Sequence, residues 1–152
     1  MNETEFGNHF RSALKDKFSG GIYLQKNHGG FGYQQAGRPD IEGSLYGRHI
    51  VFELKAGSYF SGIQKTQLEQ YGKVGSISGG IILHDNKVYW ARWDTISTFS
   101  YRNPGVLIGT ATKKGIDVDF TFLWNECWFA YCFFLGTDPI NIFLDKWERD
   151  AT

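Results

Sequence analysis

The chain has 152 residues, 41% of them hydrophobic and 17% aromatic, which suits one domain with its own core and excludes a disordered chain. Sixteen basic residues balance sixteen acidic ones, so the protein does not coat nucleic acid by bulk charge. With only two cysteines and no segment resembling a signal peptide at the amino terminus, we expect a cytoplasmic protein without a disulfide framework.

The first predicted element is an amphipathic helix. Phe6, Phe10, Leu14 and Phe18 recur every four residues, with charged residues between them, and Ser19-Gly20-Gly21 is a suitable end for such a helix. A short strand is expected over residues 22–26. A glycine-rich loop, which can approach a ligand closely, is expected over residues 27–37.

The middle of the chain predicts strands joined to a second helix. Strands are expected at Ile41 and over residues 49–54, joined around residues 44–47, and a helix over residues 61–74. The apolar residues expected to point inward from that helix are Ile63, Tyr71 and Val74. The next prediction is a hairpin of strands 79–83 and 88–93 that turns at Asp85-Asn86.

The sequence patterns that predict helices and strands are weaker in the last third of the chain. Asp94 is a candidate N-cap for a short helix to Phe99, residues 106–111 and 118–123 are candidate strands, and Asp138-Pro139 precedes a last turn or helix reaching Trp147. This order predicts an α/β (α+β) fold, a mixed β-sheet flanked by helices, in one domain over residues 1–152. Its core spans about residues 3–99, and an aromatic-rich extension spans residues 100–152.

The aromatic segment 120–135 is too short for a membrane-spanning helix, which needs about 20 apolar residues. We therefore expect no membrane partner. Its rings suit a core, an oligomer interface or a platform for unpaired bases. Because the segment contains no basic residue, we favour the core together with a homodimer contact.

Two short segments carry the predicted chemistry. In the strand Phe52-Glu53-Leu54-Lys55, side chains alternate between faces, so Glu53 and Lys55 share one face. Asp40 lies beside them if the two strands pair. Two carboxylates and a backbone carbonyl are hard oxygen ligands suited to Mg²⁺ or Mn²⁺. Lys55 is then placed to orient a water or to stabilise charge on a phosphate.

This pattern, with Pro39-Asp40, twelve intervening residues and then Glu53-Leu54-Lys55, resembles the PD-(D/E)XK nuclease superfamily. It is most similar to the Holliday junction resolvase and VRR-NUC branch, in which a glutamine-bearing helix follows the Glu-x-Lys strand. The resemblance implies a restriction-endonuclease-like mixed sheet. It implies a catalytic set of Asp40, Glu53, Lys55, Gln67 and Glu5, and metal ligands from Asp40, Glu53, the Leu54 carbonyl and Glu5.

The implied activity is metal-dependent endonucleolytic hydrolysis of phosphodiester bonds in branched or structured DNA. A homodimer would present two such sites, with Mg²⁺ (or Mn²⁺) as cofactor. Such a small nuclease would suit a phage or mobile element. The expected DNA contacts come from basic residues and one histidine that flank the motif or border its cleft: Arg38, Arg48, Lys26, His28, Lys65 and Lys73.

Simpler explanations exist for each of these residues. Asp40 suits a turn after Pro39, Glu53 can form a salt bridge with Lys55, Gln67 can be a solvated helix residue, and an acidic residue such as Glu5 is favoured in any first helical turn. Glu42 is either an extra ligand or an exposed residue. For the whole chain, the alternatives are a restriction or repair nuclease acting on duplex DNA and a catalytically silent nucleic-acid-binding or interaction module.

Overall fold

The computed structural model describes residues 1–25 and 39–127. Its seven strands form one curled sheet in sequence order: β1 (Ile22–Leu24), β2 (Ile41–Leu45), β3 (Arg48–Ala56), β4 (Ile77–His84), β5 (Lys87–Arg92), β6 (Val106–Thr112) and β7 (Gly115–Val118). The helices are α1 (Glu3–Lys17), α2 (Gly62–Lys73), a 3-10 turn (Ile96–Thr98) and a helical segment over residues 121–127. The expected mixed class with flanking helices is confirmed.

The β3–β4 pair is parallel, and the other neighbouring strands of this sheet pair antiparallel. A parallel pair needs a crossover connection, which α2 provides here. The sheet therefore has α1 on one face and α2 on the other, each packed on β3. The two sides of β3 accordingly belong to two separate hydrophobic clusters, one with Phe52 and the other with Val51.

Helix α1 forms as its four-residue apolar repeat predicts. The side chains of Phe6, Phe10 and Leu14 are fully buried, and Phe18 at the C-cap is 1% exposed. The Phe10 ring meets that of Phe52 edge-on at 6.4 Å, which fixes α1 against β3. The expected core helix is confirmed.

Helix α2 lies where it was expected, but two of its expected inward residues point outward. Ile63 is 60% exposed and Val74 is 81% exposed. The buried positions are Leu68 and Gly72, with Tyr71 half-buried. A β-carbon on Gly72 would lie 2.1 Å from the Trp93 ring, so only a glycine allows α2 to pack this closely against the ring. The packed face of α2 therefore does not show the usual repeat of apolar residues.

The β4–β5 hairpin turns at Asp85-Asn86 as predicted. Both residues have positive φ, 49° and 59°, as a two-residue type I′ turn requires. The short helix after it is a single 3-10 turn, and Asp94 is not its N-cap. Its carboxylate pairs with Arg92, and Thr95 precedes the turn without a side-chain cap.

The predicted strand 118–123 is wrong. Strand β7 ends at Val118, and the Asp119 carboxylate then accepts hydrogen bonds from the Thr121 N–H at 2.9 Å and its hydroxyl at 2.6 Å. This short-range capping arrangement starts the helical segment 121–127. The strand was predicted because apolar residues follow one another here. Phe120 and Leu123 are core residues of a helical turn instead.

Strand β1 is shorter than predicted and ends at Leu24. The glycine-rich loop prediction, at residues 27–37, lies outside the described residues, as does the predicted last helix. Of the aromatic segment, Phe120 is 4% exposed and contacts the rings of Phe10 and Phe18. None of the helices that the structure describes has the length and apolar character needed to cross a bilayer.

Candidate metal centre

Asp40 and Glu53 are brought side by side by the pairing of β2 with β3. The antiparallel register pairs Ile41 with Phe52. Continuing it by one residue places Asp40 opposite Glu53, so both side chains lie on the α2 face of the sheet. The Glu53 carboxyl hydrogen-bonds the Asp40 carboxyl and also accepts from the Asp40 N–H. The juxtaposition expected from the sequence is therefore present.

The Glu53 side chain lies deep in the fold, with the residue only 5% exposed. Burial, the hydrogen bond to Asp40 and the negative charge of Asp40 together raise the pKa of Glu53 from 4.5 to about 9. The nearby positive charge of Lys55 opposes this shift. With a pKa of about 9, the Glu53 carboxyl keeps its proton at neutral pH when no cation is bound. A cation of higher charge can take the place of that proton.

Leu54 contributes backbone groups beside the Asp40–Glu53 pair. Its N–H donates to Asp40 Oδ2 at 2.9 Å. In a strand, the N–H and C=O of one residue point toward the same neighbour, so the Leu54 carbonyl also points to the Asp40 side. The next residue in register on that side is Pro39, which has no N–H to donate. The carbonyl thus points to the side of β3 on which Asp40 lies.

Arg11 of α1 fixes the position of Asp40 from the other side. Its Nη2 donates to the Asp40 carbonyl oxygen at 2.9 Å. The helix can approach this closely because residue 7 is glycine. A β-carbon on Gly7 would lie 2.9 Å from the Arg11 guanidinium and 3.2 Å from the Leu54 side chain. No sequence motif pointed to Arg11, although its four-residue spacing from Gly7 places both on the same helix face.

Lys55 lies two residues beyond Glu53 on the same face and is half-buried. Its charge acts on Glu53, as the pKa effect shows. The ion pairs within 4 Å among the described residues do not join Lys55 to Glu53. The simple salt bridge considered as an alternative for Glu53 is therefore not formed.

Gln64, rather than the expected Gln67, contacts the carboxylates. Its Nε2 donates to Glu53 Oε1 at 2.7 Å, and its Oε1 accepts from the Ser61 N–H at 2.9 Å. The same side chain therefore completes the capping box of α2 and orients Glu53. The sequence contained this signal in Ser61-Gly62-Ile63-Gln64. The Gln67 Oε1 atom is buried, and no donor among the described residues reaches it.

Glu5 does not join the carboxylate pair. It is exposed at the start of α1, where its Oε2 accepts from the Asn2 N–H at 3.1 Å in a second capping box. Within residues 1–25 and 39–127, no group of three or more His, Cys, Asp or Glu side chains is placed to hold a metal. The helix-capping alternative for Glu5 therefore accounts for its position.

Glu42 is neither a ligand at the pair nor simply exposed. It is half-buried, and its Oε1 lies 3.0 Å from His49 Nε2, while His49 Nδ1 lies 2.7 Å from Ser76 Oγ. The β2–β3 register places Glu42 opposite Val51, on the α2 face. This polar cluster ties β2 and β3 to the segment after α2, at the end of the sheet away from Glu53.

The expected DNA contacts that the structure describes do not lie together. Arg48 begins β3, roughly 17 Å along the strand from Glu53, and its guanidinium donates to the Gly75 carbonyl. Lys65 follows Gln64 in the first turn of α2 and is half-buried, whereas Lys73 is exposed in the last turn. Lys26, His28 and Arg38 lie outside the described residues.

The chemistry of the donor set suits a hard divalent cation. Two carboxylates and one backbone carbonyl are all oxygen donors, and a cation would offset the negative charge of Asp40 that helps to raise the pKa of Glu53. Such a centre, with an adjacent lysine, can activate water toward an ester of phosphoric acid.

In comparisons with known proteins, no family model matches this chain, and no curated protein matches it.

Proposed function

We propose that this chain is a Mg²⁺- or Mn²⁺-dependent DNA endonuclease of the PD-(D/E)XK kind. The observation that carries the proposal is the buried contact between Asp40 and Glu53, with Lys55 two residues further along the same face. The pairing of β2 with β3, followed by the α2 crossover to β4, supports a restriction-endonuclease-like core. The choice of DNA, rather than another phosphodiester, comes from the resemblance of the sequence motif.

Each side chain has a separate task in this proposal. Asp40, Glu53 and the Leu54 carbonyl hold the cation, which when bound supplies Lewis acidity toward the phosphate and an acidified water. Lys55 orients the attacking water and stabilises the negative charge that develops on the phosphate. Gln64 keeps Glu53 in place, and Arg11 keeps the backbone of Asp40 in place.

The proposed substrate is branched or structured DNA, and the proposed active form is a homodimer with two sites. Both rest on the resemblance to the resolvase branch. A nuclease acting on plain duplex is the alternative within the same chemistry. Cleavage of a four-way junction, a flap and a linear duplex, each end-labelled, compares these substrates directly. Sedimentation of the same preparation measures its oligomeric state.

The decisive experiment measures Mg²⁺-dependent cleavage by wild type, Asp40→Ala and Lys55→Ala. Asp117 and Lys87, both exposed, supply the matched controls Asp117→Ala and Lys87→Ala. We expect losses of at least about 100-fold in the first two variants, since each removes charge stabilisation at the reacting phosphate. The controls should retain wild-type rates. Cleavage at the wild-type rate by both Asp40→Ala and Lys55→Ala would refute the site. Absence of any cleavage by a folded wild type would favour the silent binding module.

A further inference from the structure

Three aromatic rings form a partly exposed shelf: Tyr59 is exposed, and Tyr101 and His84 are half-buried. The rings of Tyr59 and Tyr101 are 4.6 Å apart, and those of His84 and Tyr101 stack at 4.5 Å with 28° between their planes. Tyr59 is 61% exposed, and the side chain of His84 is 32% exposed. The exposed Tyr59 ring and the exposed parts of the other two rings can contact a planar ligand.

The shelf is held in place before any ligand arrives. Tyr101 lies in a tight turn that the backbones of Ser100 and Asn103 close with two hydrogen bonds, at 3.2 and 2.9 Å. Beneath it, the ring of Phe99 is buried at 7% exposure and meets Tyr59 and Tyr101 edge-on, at 6.4 and 6.2 Å. A platform anchored in the core in this way loses little conformational entropy on binding.

The shelf lies at the same end of the sheet as the carboxylate pair. Lys55 is in register with Ile82 across the parallel β3–β4 pair, and His84 lies two residues further along β4, on the same face. The Cα atoms of Lys55 and His84 are therefore roughly 8 Å apart. Tyr59 follows Lys55 by four residues, through a turn at Gly57 with φ +75°. Ligands of α/β sheets commonly bind beyond the carboxyl ends of parallel strands.

The charges around the shelf suit a polyanion with planar groups. The exposed Arg102 follows Tyr101 in the same turn, and Lys65 lies in the first turn of α2, which Tyr59 precedes. Asp85 is an acidic neighbour of the shelf, with its carboxylate 3.4 Å from His84 Nε2. Basic side chains can contact phosphates while the rings contact bases, which is the combination that single-strand binding sites use.

From this arrangement we infer that the shelf of Tyr59, Tyr101 and His84 stacks an unpaired base of the DNA strand whose phosphate lies at the carboxylate pair. The inference deepens the proposed nuclease function and rests on it for the identity of the substrate. It assigns the preference for structured DNA to a physical feature: a junction or flap offers unpaired bases beside the cut, whereas a continuous duplex does not.

The test is binding without cleavage, measured by fluorescence anisotropy in Ca²⁺, a hard cation that can occupy the same oxygen donors in place of Mg²⁺. The probes are a labelled single-stranded oligodeoxynucleotide, its duplex and the same strand with abasic sites. The proteins are wild type, Tyr59→Ala, Tyr101→Ala and Tyr101→Phe. Tyr23→Ala is the matched control, since Tyr23 is 68% exposed on β1. Thermal melting of each variant verifies folding.

We expect Tyr59→Ala and Tyr101→Ala to bind the single strand about tenfold or more weakly, because stacking on each base is lost. Tyr101→Phe keeps the ring and should bind like wild type, as should Tyr23→Ala. The abasic strand should bind all variants alike. Unchanged single-strand affinity in both alanine variants, or an equal loss on the abasic strand, would overturn the shelf. So would absence of DNA binding by folded wild type.

The two proposals fail separately. If the shelf variants bind normally while Asp40→Ala abolishes cleavage, the nuclease proposal is supported and the base-stacking proposal is refuted. If single-strand binding depends on the rings but no substrate is cut in Mg²⁺, base stacking on the shelf is supported and the nuclease proposal is refuted.

Discussion

Asp40 and Glu53 stand opposite each other, one residue beyond the last paired position of β2 and β3, and their carboxyl groups are in hydrogen-bond contact. Opposed acids at the end of a strand pair repel each other when both are ionised. Their contact is stable only with a shared proton or a cation between them.

Without divalent cation, stability should fall as pH rises from about 5 toward 9. Glu53 has a pKa of about 9 in the fold against an ordinary 4.5, so between these values the folded state binds more protons than the unfolded state. The free energy of unfolding therefore decreases with pH in this window. Urea unfolding in EDTA at several pH values measures the slope.

Added Mg²⁺ should flatten that slope and bind more tightly at higher pH, because it displaces the proton. Glu53→Gln cannot ionise and serves as the control, with a smaller pH slope and little stabilisation by Mg²⁺. A slope as steep in Glu53→Gln as in wild type would contradict the assignment to this residue.

Replacing Gln64 should affect both the helix and the site. Gln64→Ala removes one side chain that caps α2 at Ser61 and donates to Glu53, so we expect a loss of about 1–2 kcal/mol in unfolding free energy. Loss of an outer hydrogen bond to a metal ligand should also weaken Mg²⁺ binding about tenfold or more. Thermal melts and calorimetric Mg²⁺ titration measure the two effects.

Gln67→Ala is the matched variant on the same helix. Its Oε1 has no donor among the described residues, so the sequence-based expectation and the structure diverge here. A larger loss of Mg²⁺ affinity in Gln67→Ala than in Gln64→Ala would favour the glutamine expected from the resemblance.

Arg11→Ala should weaken the interaction that holds the backbone of Asp40 in position. A hydrogen bond from a guanidinium to the Asp40 carbonyl is lost, which costs about 1.5–3 kcal/mol for a charged donor. We also expect slower cleavage, because displacement of Asp40 disturbs the cation site. Lys15→Ala, one turn further along α1 and exposed, is the control and should change neither quantity. Equal stability and rate in Arg11→Ala and Lys15→Ala would exclude a positioning role for Arg11.

Gly80→Ala should disturb the strand beside Glu53. Gly80 is in register with Glu53, and a β-carbon there would lie 2.3 Å from the Phe60 ring, so we expect a loss of about 1–3 kcal/mol from overpacking. Gly62→Ala, in the first turn of α2 with nothing within 4 Å, should be neutral or slightly stabilising. Denaturant midpoints compare the two. A neutral Gly80→Ala would show that the Phe60 ring moves away without cost.

The elements that the sequence predicted well have local causes. The four-residue repeat of α1, the Ser61 cap of α2 and the Asp85-Asn86 turn each depend on residues within one or two turns of chain. The predictions were wrong where packing between segments distant in sequence determines which residues are buried. Ile63 and Val74 are apolar yet exposed, because the face of α2 that packs is set by Trp93 against Gly72.

For the candidate site, strand alternation alone placed Glu53 and Lys55 on one face, and the motif spacing suggested Asp40 as their neighbour. What the tertiary structure decided is which side chains support them. Gln64 rather than Gln67 reaches Glu53, Glu5 stays at the amino-terminal cap, and Arg11 comes from a helix on the opposite face of the sheet. The physical reason is distance along the chain: periodicity fixes the direction of a side chain within its own element, whereas the approach of two elements depends on all the residues packed between them.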